Sequence, residues 1–180
     1  MINLFLADGF EEIEALAVVD ILRRAELPVT TVGVGAIQIS GAHHIPVAAD
    51  ILDVAANQSN LTGVILPGGG QGTIRLEKSP VVQSFIDRAA REGKTIGAIC
   101  AAPSILGHKG LLRGKKAVCY PGFEKELEGA DIVDAPVAED GNIITSKGAG
   151  TAILFALALV KRFAGAAAAD RVRAAIQWPL

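Results

Sequence analysis

The sequence predicts an α/β fold, a mostly parallel sheet with helices on both faces. Three observations predict it. Short runs of apolar and β-branched residues recur along the chain (INLFLA from Ile2, VTTVGV from Val29, VIL from Val64, TIGAI from Thr95). Each is strand-length and reads as a strand buried on both faces. Segments with helical spacing of apolar residues separate them, the pattern of βαβ units. Finally, several of these strands run directly into glycine, proline or a charged residue, as chains do where a strand hands over to a helix.

Ile2 to Ala7 reads as the first strand, ended by Asp8-Gly9. Glu11 to Arg24 reads as a helix, with acidic residues in its first turn and Arg23 and Arg24 in its last, which complements the helix dipole. Pro28 stops it, and Val29 to Val34 is the second strand. Ile37 to Val47, broken by Gly41 and Pro46, suggests a small hairpin. Val64 to Leu66 is the next core strand and enters the turn Pro67-Gly68-Gly69-Gly70-Gln71-Gly72. Pro80 to Arg91 is a helix with proline in its first turn. Thr95 to Ile99 is a buried strand, and Ala101 to His108 starts a helix with no spacer. Lys116 to Cys119 and Asn142 to Thr145 read as short strands, and Gly150 to Arg162 and Ala166 to Gln177 as the closing helices.

A length of 180 residues suits one domain over residues 1–180. With 51% hydrophobic and 20% charged residues the chain can bury a core, which excludes a disordered class. A net charge of −2 gives no basic excess, so neither nucleic acid nor an anionic membrane is expected as the main partner. Two cysteines make no disulfide framework. The N-terminus has no basic region before its short apolar run, so no signal peptide is expected. The longest apolar stretches, Ala152 to Val160 and the region from Ile96 to Leu106, fall short of the roughly 18 residues of a spanning helix. A cytoplasmic, enzyme-like protein is the expectation.

In a parallel sheet, ligands bind at the carboxyl ends of the strands. Three such ends carry unusual chemistry and are expected to converge: Gly9 to Glu14, Pro67 to Gly72, and Cys100 to Pro103. Cys100 stands where a β-rich run turns straight into a helix, a position that exposes a nucleophile and surrounds it with N–H groups. A helix N-terminus there would favour the thiolate. A buried structural cysteine is the alternative. Glu14 shares a helical face with Val18, Ile21 and Ala25, so burial would raise its pKa and suit it to proton shuttling; a residue at the edge of the stripe is the alternative. Glu11 and Glu12 read as solvated first-turn acids. The glycine turn could offer N–H groups as an oxyanion site, or be a plain tight turn. It matches neither nucleotide-binding glycine pattern. His43, His44 and His108 show no metal-ligand spacing, so no metal is expected. Cys119 reads as packing.

Together these segments resemble the ThiJ/PfpI superfamily, and within it the DJ-one branch. The matching stretches are ADGFEEIEALAVVDILRRAEL, VILPGGG, GAICAAPSIL and ITSKGAGTAILFALALV, in the family's order and spacing. The resemblance implies a flavodoxin-like sandwich, akin to the class I glutamine amidotransferases, that forms a homodimer. It implies that Cys100 is the reactive cysteine and Glu14 its protonated partner, with Gly69 and Ala101 supplying backbone N–H groups. Asp20 and Arg24 match a structural pair. The implied activity is that of a cofactor-free glyoxalase III, converting methylglyoxal to lactate without glutathione, or of a deglycase acting on glycated substrates. A redox-responsive chaperone working through oxidation of Cys100 is a further implied role, and a peptidase or amidase another. Peptidase-type members place His after the nucleophile, where this chain has Ala101. Some members of the branch place His before the proline that is Pro121 here, where this chain has Tyr120. A proton relay would then use Glu14 alone, Tyr120 or water, with weaker aldehyde activity. For dimer contacts the aliphatic surface of the first helix and Ile37, Ile39, Ile45 and Val47 are the candidates.

Overall fold

A computed structural model describes residues 1–179. In chain order its elements are β1 (Ile2–Leu6), α1 (Glu12–Arg24), β2 (Val29–Gly33), β3 (Gln38–Ser40), β4 (Pro46–Ala48), β5 (Ile51–Leu52), β6 (Gly63–Leu66), α2 (Gly70–Lys78), α3 (Pro80–Arg91), β7 (Thr95–Ile99), α4 (Pro103–His108), β8 (Lys116–Ala117), β9 (Asp131–Ile132), β10 (Val137–Asp140), β11 (Ile143–Ser146), α5 (Ala152–Ala164) and α6 (Ala166–Ala175). Seven strands form one sheet in the order β10-β11-β7-β6-β1-β2-β5. Every pair is parallel except β10 with β11, which are joined by a tight turn at Gly141.

The alternation of side chains along each strand builds two cores. Leu4 and Leu6 of β1 and Ile65 of β6 join Val18 and Leu22 of α1 and Phe155 and Leu159 of α5 on one face. Phe5 of β1 and Val64 and Leu66 of β6 join Phe85 and Ile86 of α3 and Leu106 of α4 on the other. Gly97 in β7 lets Phe155 approach the sheet closely: a Cβ there would lie 3.0 Å from the Phe155 ring. The register brings Leu66 opposite Ala98 and Ile99 opposite Ser146, so the carboxyl ends of β6, β7 and β11 lie together. Among the described residues no helix is long and apolar enough to cross a membrane.

The structure departs from the sequence reading in several places. The glycine turn continues into α2, a helix hidden by two glycines in its first turn. Gly72 is required there, since a Cβ would sit 2.7 Å from the Phe10 backbone. The Lys116 region contributes only a two-residue strand, paired with β9 outside the main sheet. A 3-10 turn at Ala149–Thr151 delays α5 to Ala152. Ile39 lies in the core at 1% exposure, so it offers nothing to a partner, while the expected hairpin is the β3–β4 pair that buries it.

Candidate active site

The three expected strand ends meet. Cys100 follows the last residue of β7 and holds φ +66°, a left-handed conformation that side chains rarely adopt. Two hydrogen bonds clamp it there. Its N–H donates to Ser146 O at the end of β11 at 2.9 Å, and its C=O accepts from Tyr120 N–H at 2.8 Å. Such strain persists only where its surroundings enforce it, and it is typical of a functional turn. α4 starts only at Pro103 and has six residues. The groups that face the sulfur are therefore the peptide N–H groups of Gly69 and Ala101 rather than a long helix dipole.

Glu14 sits in the first turn of α1 and is 1% exposed. Gly68 N–H donates to its Oε2 at 2.8 Å. Its Oε1 is buried and has no well-aligned hydrogen bond, although the Cys100 thiol lies beside the carboxyl, close enough to exchange a proton with it. Gly68 makes this approach possible. A Cβ there would stand 2.6 Å from both the Cys100 Cβ and Glu14 Oε2. The adjacent Gly69, at φ +91°, turns the chain so that its own N–H faces the sulfur.

Burial pushes the Glu14 carboxyl up to about 7, against the opposing hydrogen bonds from Cys100 and Gly68. Burial, and then repulsion by an ionised Glu14, pushes the Cys100 thiol up to about 12. This corrects the expectation of a thiol acidified by the following helix. The Gly69 and Ala101 N–H groups oppose the rise but do not outweigh it. The repulsion exists only while Glu14 is charged. When Glu14 holds the proton it becomes a donor toward the sulfur, so a thiolate is favoured only in the arrangement that places the pair's one proton on Glu14.

Glu11 and Glu12 are not solvated acids. Glu11 caps α1 by accepting the Glu14 N–H at 2.7 Å, and Glu12 is buried, accepting from the His43 N–H and facing His43 Nδ1, each at 2.7 Å. The hairpin that carries His43 folds back over the start of α1, a contact invisible in local sequence. Glu11, Glu12 and His43 are close enough to share a cation, but Glu12 is already satisfied by His43. Asp20 and Arg24 pair at 2.6 Å on the surface of α1, one turn and more beyond Glu14. Tyr120 is 51% exposed and stands by Gly148, whose added Cβ would lie 3.3 Å from its ring and 3.8 Å from Glu14 Oε1. Tyr120 therefore stands on the Glu14 side of the site. His108 is placed elsewhere, between Glu77 at 2.5 Å and Glu126 at 2.8 Å. Cys119 is a buried free thiol. Gly68 and Gly148 shape the site; the sequence marks Gly68 as part of the glycine turn but offers no signal that makes Gly148 a site residue.

A parallel α/β sheet whose carboxyl edge presents a strained cysteine beside a buried carboxyl defines a cysteine-elbow protein of the flavodoxin-like kind. The chain belongs to the DJ-1/PfpI family, whose model matches residues 1–162. It is 37% identical over 175 residues to the Parkinson disease protein 7 homolog of Danio rerio, covering 94% of this chain and 92% of that one. It is 35% identical to a glutathione-independent glyoxalase of Schizosaccharomyces pombe, over 89% and 90% of the two chains. Among solved structures, a DJ-1 superfamily protein from Salmonella typhimurium superposes with a TM-score of 0.94 at 38% identity, covering 99% and 98%. The chain spans 37% and 41% of the length of its two Arabidopsis thaliana relatives, the DJ-1 homologs B and A.

Proposed function

We propose that the protein is a glyoxalase III-type enzyme acting on 2-oxoaldehydes without glutathione or another cofactor, with Cys100 as nucleophile. The observation that carries this reading is the Cys100–Glu14 pair under the N–H groups of Gly69 and Ala101. Relatives at 35% and 31% identity, in Schizosaccharomyces pombe and Caenorhabditis elegans, are named glutathione-independent glyoxalases, which supports it.

The Cys100 thiolate adds to the aldehyde carbon of methylglyoxal, and the carbonyl π electrons move to oxygen. The Gly69 and Ala101 N–H groups meet that oxyanion, each good donor contributing about 3 kcal/mol. The oxyanion takes a proton to give a hemithioacetal. Glu14, ionised again, removes the proton from the former aldehyde carbon and returns it to the neighbouring carbon through an enediol. The product is a lactoyl thioester. Water cleaves it to lactate and restores the thiol. Carbon is oxidised at one position and reduced at the next, so no external oxidant is needed. A carboxyl near 7 suits both directions of transfer. Deglycation would share the first addition, with the glycated group as leaving partner.

Peptide hydrolysis is less well served. Ala101 follows the nucleophile, and His43 and His108 hydrogen-bond to carboxylates elsewhere. The exposed Ile13 and Leu16 of α1, with Ile37 and Ile45 beside the hairpin, supply an aliphatic surface for a homodimer. Methylglyoxal loss and lactate formation without glutathione test the function, with Cys100→Ser as the comparison. Lactate that requires Cys100 supports the reading. Its absence, with peroxide oxidising Cys100 stoichiometrically, moves the function to redox sensing.

A further inference from the structure

We infer that His108 is a positioning residue of the Cys100 site: its imidazolium clasps the far ends of three segments whose near ends hold the cysteine, and loss of its proton loosens that hold. Where it concerns turnover, the inference rests on the aldehyde reading above. His108 is the last residue of α4, and its ring lies between carboxylates from two other elements. Nδ1 faces Glu77 Oε1, in the last turn of α2, at 2.5 Å; Nε2 faces Glu126 Oε2, in the 3-10 turn Glu124–Glu126, at 2.8 Å. A neutral imidazole has one N–H and one lone pair, so it serves only one of two ionised carboxylates and repels the other. Both contacts are satisfied together when both ring nitrogens carry hydrogen. The charges acting on the ring are those of Glu77 and Glu126. Lys109, next in sequence, turns instead to Asp87 and Gln83 of α3, at 2.7 and 2.9 Å.

Each clasped segment is hydrogen-bonded back to the cysteine turn. Thr73 N–H donates to Gly69 O at 2.8 Å, joining α2 to a residue whose own N–H faces the sulfur. Ser104 donates to Ala101 O through its N–H, at 3.1 Å, and its Oγ, at 2.7 Å, joining α4 to the other such residue. In the third segment Glu126 N–H donates to Phe123 O at 3.0 Å, Phe123 N–H to Tyr120 O at 3.1 Å, and Tyr120 N–H to Cys100 O at 2.8 Å. Gly107 lets this segment reach His108, since a Cβ there would collide with Glu126 O. Elsewhere the three segments leave a cavity of about 310 Å³ between them, lined by Glu77, His108 and Glu126 among others. The clasp therefore bridges a gap that backbone packing does not close. Hydrogen bonding to Glu77, then to Glu126, lifts the His108 pKa above its ordinary 6.5. A group raised in this way supports the folded arrangement fully below its unfolded value and loses that contribution as pH rises through the raised one. The clasp is closed in mildly acidic solution and opens toward alkaline pH.

The test compares the parent with His108→Gln and with His108→Lys, whose ammonium can donate to both carboxylates. Amide hydrogen exchange at the Tyr120 N–H reads the coupling directly, whatever the reaction. At about pH 6 it should be about fivefold faster in His108→Gln than in the parent, and near the parent's rate in His108→Lys. Glu126→Gln, which keeps the imidazole but removes one carboxylate, should speed it as well. The second readout is the ratio of methylglyoxal kcat/KM in the parent to that in His108→Gln, followed from about pH 6 to about pH 9.5. The ratio cancels the titration of Glu14, which both proteins share. It should fall from about five to about one across the pH range in which the His108 ring proton resonances titrate. A merely structural histidine gives a ratio that does not change with pH. A constant ratio, or unchanged Tyr120 exchange in His108→Gln, overturns the clasp and leaves the aldehyde reading standing. If the parent turns over no aldehyde, that reading fails, and Tyr120 exchange alone decides the clasp: faster exchange in His108→Gln supports it, and unchanged exchange overturns it.

Discussion

Replacing Glu14 by Gln should change the protein's stability in a pH-dependent way that runs against intuition. The carboxyl is 1% exposed, and burial lifts it from 4.5 to about 7. Between those values the folded chain keeps a proton that the unfolded chain has released. Rising pH therefore favours the unfolded state, and above both values the folded state has lost about 3 kcal/mol. Below both values the neutral carboxyl and the neutral amide are near equivalents, since either oxygen can accept the Gly68 N–H. The stability of Glu14→Gln relative to the parent should thus rise by about 3 kcal/mol between about pH 4 and about pH 8. Urea titrations followed by circular dichroism at the two pH values measure it, and the difference cancels the carboxylates common to both proteins. Repeating them in a Cys100→Ser background removes the thiol. A difference that stays constant with pH, or that grows in the parent's favour, would refute the account of a carboxyl strained by burial.

Other substitutions test the geometry. Gly68→Ala puts a Cβ 2.6 Å from Cys100 and from Glu14, so it should cost about 1–3 kcal/mol in urea titration and abolish most methylglyoxal turnover. Cys100→Gly relieves the φ of +66° and should stabilise the fold by about 1 kcal/mol while eliminating turnover. Tyr120→His supplies the residue that some members of the DJ-one branch carry at this position beside Gly148. It should raise kcat/KM for methylglyoxal by about tenfold or more if a second proton carrier is limiting.

The layers of the fold were legible because the apolar runs are strand-length and the helical spacing between them is regular. Cys100, Glu14 and the glycine turn were legible for a different reason: each breaks a local rule. A thiol at a strand end, a carboxyl on an apolar stripe and three consecutive glycines are poor choices for packing alone. What the sequence hid depends on contacts between distant segments. The burial of Glu12 is set by His43, 31 residues away, and α2 is masked by Gly70 and Gly72, whose absent side chains let the helix approach Phe10. The thiol's acidity was misjudged on the same ground. A helix start lowers a cysteine pKa, but only long-range folding shows that burial of the thiol, and then an ionised Glu14 opposite it, outweighs that effect.

Taken singly, the thiol does not suit the chemistry: near 12 it is a poor nucleophile precursor, and it depends on the carboxyl beside it. Their coupling yields a further prediction. Glu14→Gln removes the charge that repels the thiolate and leaves an amide that can donate to sulfur, so Cys100 should become more acidic, although its burial remains. Alkylation by iodoacetamide at fixed pH should therefore be faster in the variant, and oxidation by peroxide faster too. Aldehyde turnover should nonetheless fall by about 10²–10⁴, because no group remains to move the proton between carbons. Reactivity of the sulfur and catalysis would then move in opposite directions. An oxidation sensor needs only the first, so a variant that oxidises faster yet loses lactate formation separates the two roles at one residue. Slower alkylation in Glu14→Gln would mean that the carboxyl, by taking up the proton, favours the thiolate more than its charge opposes it, and repulsion would be the wrong description.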